Sequence, residues 1–276
     1  MHASPTFASR FQAGAVPSAG LAAAIAAAAL VFPIQALAQG TPGEPEGSSW
    51  GLGLGVASKQ QAYRGMDRDT KALPLLQFEN QYLKIMGPGA ELKLPGLRIS
   101  DTQRLSFGLI GKYDGSGYEA KDSPFLAGMA EREGGFWLGG QVKWENDLAN
   151  LSARWTADAS GHSKGQQFSL GAERSFRLGQ QFMLSPRLVA TWQDRKTVDY
   201  YHGVRAGEAR AGRAAYQGES GVNTELALRG MYLFDRQHSL FVDVGVTRLH
   251  AGIKNSPLVD RSSESNVFLG YMYRFR

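Results

Sequence analysis

The sequence predicts an all-β protein: an antiparallel transmembrane β-barrel of about twelve strands, with ten as the alternative count. Three observations predict it. Segments of roughly ten residues alternate apolar and polar side chains, the pattern of a strand with lipid on one face and a polar interior on the other. The connections between these segments are short and long by turns, as in barrels with short periplasmic turns and long extracellular loops. After residue 38 no apolar run approaches the length of a membrane-spanning helix. A soluble β-sandwich also alternates, but it does not combine large apolar faces, fully charged opposite faces and a secretory leader.

That leader is the first element. Residues 21–32 form an apolar core, and Ala36, Leu37 and Ala38 then supply a small-residue cleavage box. Residues 1–38 are therefore expected to be a cleaved signal peptide and residues 39–276 the barrel domain, with a polar linker at 41–49. The first strand reads WGLGLGV. Trp50, Leu52, Leu54 and Val56 share one face, and Gly51, Gly53 and Gly55 leave the other bare. The glycine spacing fits neither a dinucleotide fingerprint nor a P-loop, so a phosphate cradle is set aside. Residues 72–95 follow as one long strand plus loop, or as three short strands with turns at Glu79-Asn80 and at Gly87-Pro88-Gly89. The second option gives twelve strands and is the one expected.

The remaining strands declare their faces more openly. Leu105, Phe107, Leu109 and Tyr113 fall together, as do Phe136, Leu138, Val142 and Trp144. Leu151, Ala153 and Trp155 oppose Ser152, Arg154 and Thr156. Leu184, Leu188 and Trp192 oppose Ser185, Arg187 and Thr191. Pro186 lies inside this strand and lacks a ladder donor, so a bulge or irregular pairing is expected there. Leu226, Leu228 and Tyr232 oppose Glu225 and Arg229, and Val242, Val244 and Val246 oppose Asp243. The last strand carries Val267, Leu269, Tyr271, Tyr273 and Phe275. Aromatic residues at strand ends, among them Trp50, Trp144, Trp192 and Tyr232, suit girdles at the two membrane interfaces.

Alternation assigns a set of charges to the lumen: Arg104, Lys112, Lys143, Arg154, Arg187, Arg229 and Arg274, with Asp158, Glu173, Glu225 and Asp243. Either they pair across strands in a closed interior, which is the favoured reading, or they line a narrow, weakly anion-preferring channel. The net charge of +5 comes without a basic run or a nucleic-acid motif, so no nucleic-acid partner is expected. The chain has no cysteine, which excludes disulfides and thiolate metal sites. The spacing of His162, His202, His238 and His250 supports neither a metal site nor a catalytic pair, so no cofactor, metal or catalytic residue is expected.

Beyond these physical readings, the chain resembles the MipA/OmpV family of MltA-interacting outer-membrane proteins. The resemblance rests on WGLGLGV and AYRG near the start, LPLLQFEN after the first loop, and DYYHGVRAGEARAGRAAYQGESG at 199–221. TRLHAGIKNSPLVD at 247–260 and the closing GYMYRF complete it. His202 stands where the family often has another aromatic residue, and Asn255 where it often has Asp. The last strand is also similar to the signal read by the barrel-assembly machinery, with Gly270, Tyr273 and Phe275 at the expected offsets. The resemblance implies an outer-membrane location and a non-enzymatic role as a scaffold between a lytic transglycosylase and a murein synthase. A small-solute, porin-like channel is the alternative.

Overall fold

The computed structural model describes residues 47–275, so the expected signal peptide lies outside the described residues. The strands are β1 (Ser49–Gln60), β2 (Asp69–Glu79), β3 (Leu83–Met86), β4 (Gly89–Arg98), β5 (Arg104–Asp114), β6 (Gly135–Glu145), β7 (Asn150–Asp158), β8 (Gln166–Glu173), β9 (Phe176–Leu178), β10 (Phe182–Gln193), β11 (Gly221–Leu233), β12 (His238–Arg248) and β13 (Ser263–Phe275). Neighbours pair antiparallel around the whole circuit, and β13 returns to β1 in an unbroken register from Trp50↔Phe275 to Gln60↔Ser265. The result is a closed barrel of twelve strands, with β9 an extra piece hydrogen-bonded to the start of β10.

Residues 80–82, 99–103, 146–149, 179–181 and 234–237 make short turns at the end that also holds both ends of the strand array. This is the periplasmic end. The connections 61–68, 115–134, 159–165, 194–220 and 249–262 lie at the extracellular end. Two of them contain α-helices, α1 (Arg195–His202) and α2 (Ala251–Lys254). Asp194 caps α1 by accepting from the Thr197 N–H at 2.9 Å.

Residues 72–95 resolve into three strands. β3 has only four residues and turns back at Gly87-Pro88, with Gly87 at φ +52°. A two-residue hairpin loop favours such a residue in first place, and only glycine takes it without strain. Pro186 interrupts its ladder without a bulge. Arg187↔Glu173 and Leu184↔Phe176 keep one register, while the two pairs between them are lost and divide β8 from β9. The Arg174 N–H still donates to Pro186 O at 3.2 Å, but proline has no N–H to return the bond. A contact of 2.7 Å between the Ser175 and Ser185 hydroxyls spans the break. On its other side β10 pairs with β11 without interruption.

The outer faces are apolar and exposed, from Leu52 and Leu54 on β1 to Leu226 and Leu228 on β11 and Leu269 on β13. The glycine face of β1 points inward because bulk from β13 already occupies the space. A Cβ on Gly55 would lie 2.4 Å from Phe268 Cζ, and one on Gly53 would lie 2.1 Å from the Tyr271 main-chain oxygen. The bare stripe is a requirement of close packing at this seam.

Candidate functional site

Two regions concentrate chemistry: the lumen and the extracellular cap. In the lumen, charges from neighbouring strands meet. Arg229 stands directly opposite Asp243 in the β11–β12 register and binds it at 2.8 Å. Arg187 reaches Glu225 at 2.9 Å, Asp243 at 3.3 Å and Glu173 at 4.0 Å. Asp243 is 1% exposed, so these bonds stand in for its lost hydration. Lys143 binds Glu91 at 2.8 Å, and Lys112 lies 3.9 Å from Asp114. Arg154 donates to Gln141 Oε1 at 3.3 Å. A cavity of about 190 Å³ remains beside this network, lined by Lys112, Arg154, Ser169, Glu173, Thr191 and Glu225 among others.

The other sequence-derived residues, Gly270 apart, sit at or near the rims. Arg104 is exposed at the periplasmic end, opposite Arg98 and Glu145. Arg274 is half-buried opposite Gly51. Asp158 organises the 159–165 turn by accepting from the backbone N–H groups of Ser160, Ser163 and Lys164. Tyr273 and Phe275 pack edge to face at 4.9 Å, while Gly270 accommodates Phe241 and Phe268. Sequence reasoning missed Glu79, which binds Lys93 at 2.7 Å and Lys84 at 3.5 Å. It missed Glu91 as well. All four lie in the segment whose faces the alternation did not assign. With Asp114 they narrow the excess of positive over negative charge inside the barrel.

The lumen also has an apolar sector. Ala57, Met183, Met231, Phe241, Phe268 and Met272 form one buried cluster, with Leu73, Leu75 and Met86 packed against it. Alternation was blind to it, since it marks only contrast between faces.

The cap is built from four extracellular connections. Tyr63, Tyr118, Leu126, Met129, Val204 and Leu258 bury one another. Ala62, Val198, Leu249, Ile253 and Val259 form a second cluster beneath them. Tyr63 bridges to Val259 through its backbone, donates its hydroxyl to Tyr201 O at 3.0 Å and stacks on His202 at 5.2 Å. Ser256 Oγ donates to His202 O at 2.6 Å. Arg132 reaches both Glu208 carboxylate oxygens, at 3.0 and 2.9 Å. Arg213, almost fully buried, donates to the main-chain oxygens of Glu208, Phe125 and Ala127. The segments AYRG, DYYHGVRAGEARAGRAAYQGESG and TRLHAGIKNSPLVD therefore converge on one structure.

Electrostatics in the cap follow from its packing. Burial, reinforced by His250 and Lys59, holds the His202 imidazole down to about 3, and its shielded Nδ1 has no hydrogen-bond partner. Burial pushes the Tyr118 hydroxyl up to about 12. Burial also opposes ionisation of Glu208, but hydrogen bonds from Arg132 and from the N–H groups of Arg205 and Ala130 outweigh it and hold the carboxyl below its usual range. The other histidines serve local structure: His162 contacts Gly134 O at 2.8 Å, His238 pairs with the Tyr271 hydroxyl, and His250 caps α2.

Comparison with known proteins places these features in a lineage. The profile of the family described as MltA-interacting protein MipA matches residues 52–275. The chain is 25% identical over 242 residues to the outer membrane protein YiaT of Escherichia coli (strain K12), covering 83% of this chain and 92% of that one. It is 23% identical over 227 residues to the MltA-interacting protein of the same organism, covering 81% and 89%. Among solved structures, the NanC porin aligns with 82% of this chain and 98% of its own at 10% identity, with a TM-score of 0.42.

Proposed function

This chain belongs to the MltA-interacting protein family MipA, and from that premise we propose that it is a non-enzymatic outer-membrane scaffold for murein remodelling. Its partners on this reading are a lytic transglycosylase and a murein synthase, engaged at the periplasmic end. The observation that carries the reading is the packed extracellular cap. Four loops pack into a cap with two buried apolar clusters and an almost fully buried Arg132–Glu208 pair, a costly construction for a protein whose task is to pass solutes. The paired lumenal charges point the same way. The periplasmic turns, by contrast, expose Tyr82, Leu148 and Phe234. Exposed apolar groups on short, well-held turns suit a binding surface. Gly270, Tyr273 and Phe275 would act earlier, as the signal that the barrel-assembly machinery reads.

Capture of a lytic transglycosylase by the purified, folded barrel tests the scaffold reading. Replacing residues 146–149 and 234–237 with Gly-Ser turns should abolish capture and leave heat-modifiable migration intact. Failure of the unaltered barrel to capture the enzyme would remove the proposal. The polar cavity beside Arg187 favours a second reading, a porin-like channel for small solutes. Planar-bilayer recordings separate the two: the scaffold is silent, and the channel conducts.

A further inference from the structure

The short strand β3 leaves a notch in the barrel wall. β2 pairs with β1 along its whole length, from Ser49↔Glu79 to Lys59↔Asp69, but with β3 only from Gln77↔Met86 to Glu79↔Lys84. The Gly87 N–H donates to Leu76 O at 3.0 Å, and the Tyr113 N–H donates to Pro88 O at 3.0 Å. These two bonds seal the hairpin turn into the wall. On the extracellular side of the turn, β2 continues from Leu75 to Asp69 with no strand on that edge. The notch therefore opens within the membrane-spanning wall.

What borders it is unusual for this barrel. The acceptor at Leu76 O points toward the hairpin, so alternation puts the main-chain groups of Pro74 and Ala72 on the same free edge. Proline there removes a donor, which disfavours the addition of a strand from a second protein. Between Ala72 and Leu76, β2 is also apolar on both faces. Ala72, Pro74 and Leu76 are exposed to the lipid side, while Leu73 and Leu75 turn inward and pack against the lumenal methionine and phenylalanine cluster. Methionines adapt their shape to varied apolar guests. An apolar path thus runs from the membrane, over an edge that repels strands, to a packed cluster of apolar side chains whose methionines can shift.

We propose that this notch is a lateral portal through which an acyl chain of a surrounding membrane lipid enters the apolar sector of the lumen. Lipid is the occupant because the opening faces the hydrocarbon layer, where acyl chains are the apolar material at its mouth. The inference stands apart from the scaffold reading, since it concerns the wall and not the periplasmic turns.

The absence of cysteine allows a direct test. Leu75→Cys, labelled with bimane, is reconstituted in phosphatidylcholine vesicles containing doxyl-labelled lipid. Leu76→Cys on the lipid face and Thr191→Cys in the lumen serve as references. Quenching at position 75 should be comparable to that at position 76 and severalfold above that at position 191. Leu73→Cys gives the same reading if the labelled Leu75→Cys barrel fails the heat-modifiability check. Signals at 73 and 75 as weak as that at 191, in folded barrels, would overturn the portal. So would disulfide-linked dimers of Leu76→Cys together with an unquenched position 75, because a second barrel would then cover the edge.

Discussion

Two sectors of this barrel solve one problem in opposite ways. Around β10, β11 and β12 the inner face carries Arg187, Glu225, Arg229 and Asp243. Around β13, β1 and β2 it carries Phe268, Met272 and three glycines. The outer faces hardly differ: Leu188, Leu226 and Val244 on one sector, Leu52, Leu54 and Leu269 on the other. The membrane thus fixes the outside, and the inside is free to be filled by paired charges or by bulk laid over glycine. The first filling is sensitive to the loss of a partner, the second to the addition of volume.

Each side of that comparison can be broken. Gly53→Arg should give the largest effect, because even a Cβ at this position would sit 2.1 Å from Tyr271 O. No heat-modifiable band should form on a gel, and normal assembly would mean that the seam is looser than the packing described. Asp243→Ala comes next. It leaves Arg187 and Arg229 buried and deprived of their shared carboxylate, a loss of about 3–5 kcal/mol by urea unfolding in detergent. Arg229→Gln should cost clearly less, because Asp243 keeps Arg187. Leu228→Arg puts a charge on the lipid face and should cost about 2–4 kcal/mol if it lies near the midplane, falling toward the interface. A tolerated Leu228→Arg would mean that β11 is inside out.

The smallest effect separates cap from wall. His202 is held neutral in the fold down to about pH 3, while an unfolded histidine titrates near 6.5. Below that value the opened cap binds a proton that the closed cap does not. The stabilisation is therefore complete above about pH 6.5 and is lost as pH falls toward 3. Proteolysis of the 194–220 loop should accelerate over this window, and His202→Phe should flatten the response. An unchanged pH profile in that variant would assign the acid sensitivity elsewhere.

The strands were legible wherever the two faces contrast. Leu228 beside Arg229 announces lipid and lumen in adjacent residues, and the twelve-strand count followed from the turns expected at Asn80 and Gly87. Legibility failed where the contrast vanishes. Leu73 and Leu75 are apolar inward-facing residues on a strand that is apolar outward too, and four-residue β3 is too short to show a period. Glu79, Lys84, Glu91 and Lys93 were missed with it. Pairing was illegible for a different reason. That Arg229 meets Asp243 depends on register, which hairpin geometry sets and composition does not. The cap left no periodic trace at all; only the resemblance of its segments to a known family marked them.

The seam between β1 and β13 also bears on time. Trp50↔Phe275 joins opposite ends of the strand array, so this pairing closes the longest stretch of chain of any in the barrel. Contacts so distant in sequence carry a heavy entropic penalty and zip up late. Phe268 and Met272 must then settle over Gly55 and Gly51, as a latch drops behind a shutting door. Interactions formed after the transition state slow unfolding more than they speed folding. The lifetime of this barrel is therefore governed at its seam, by how rarely the latch lifts.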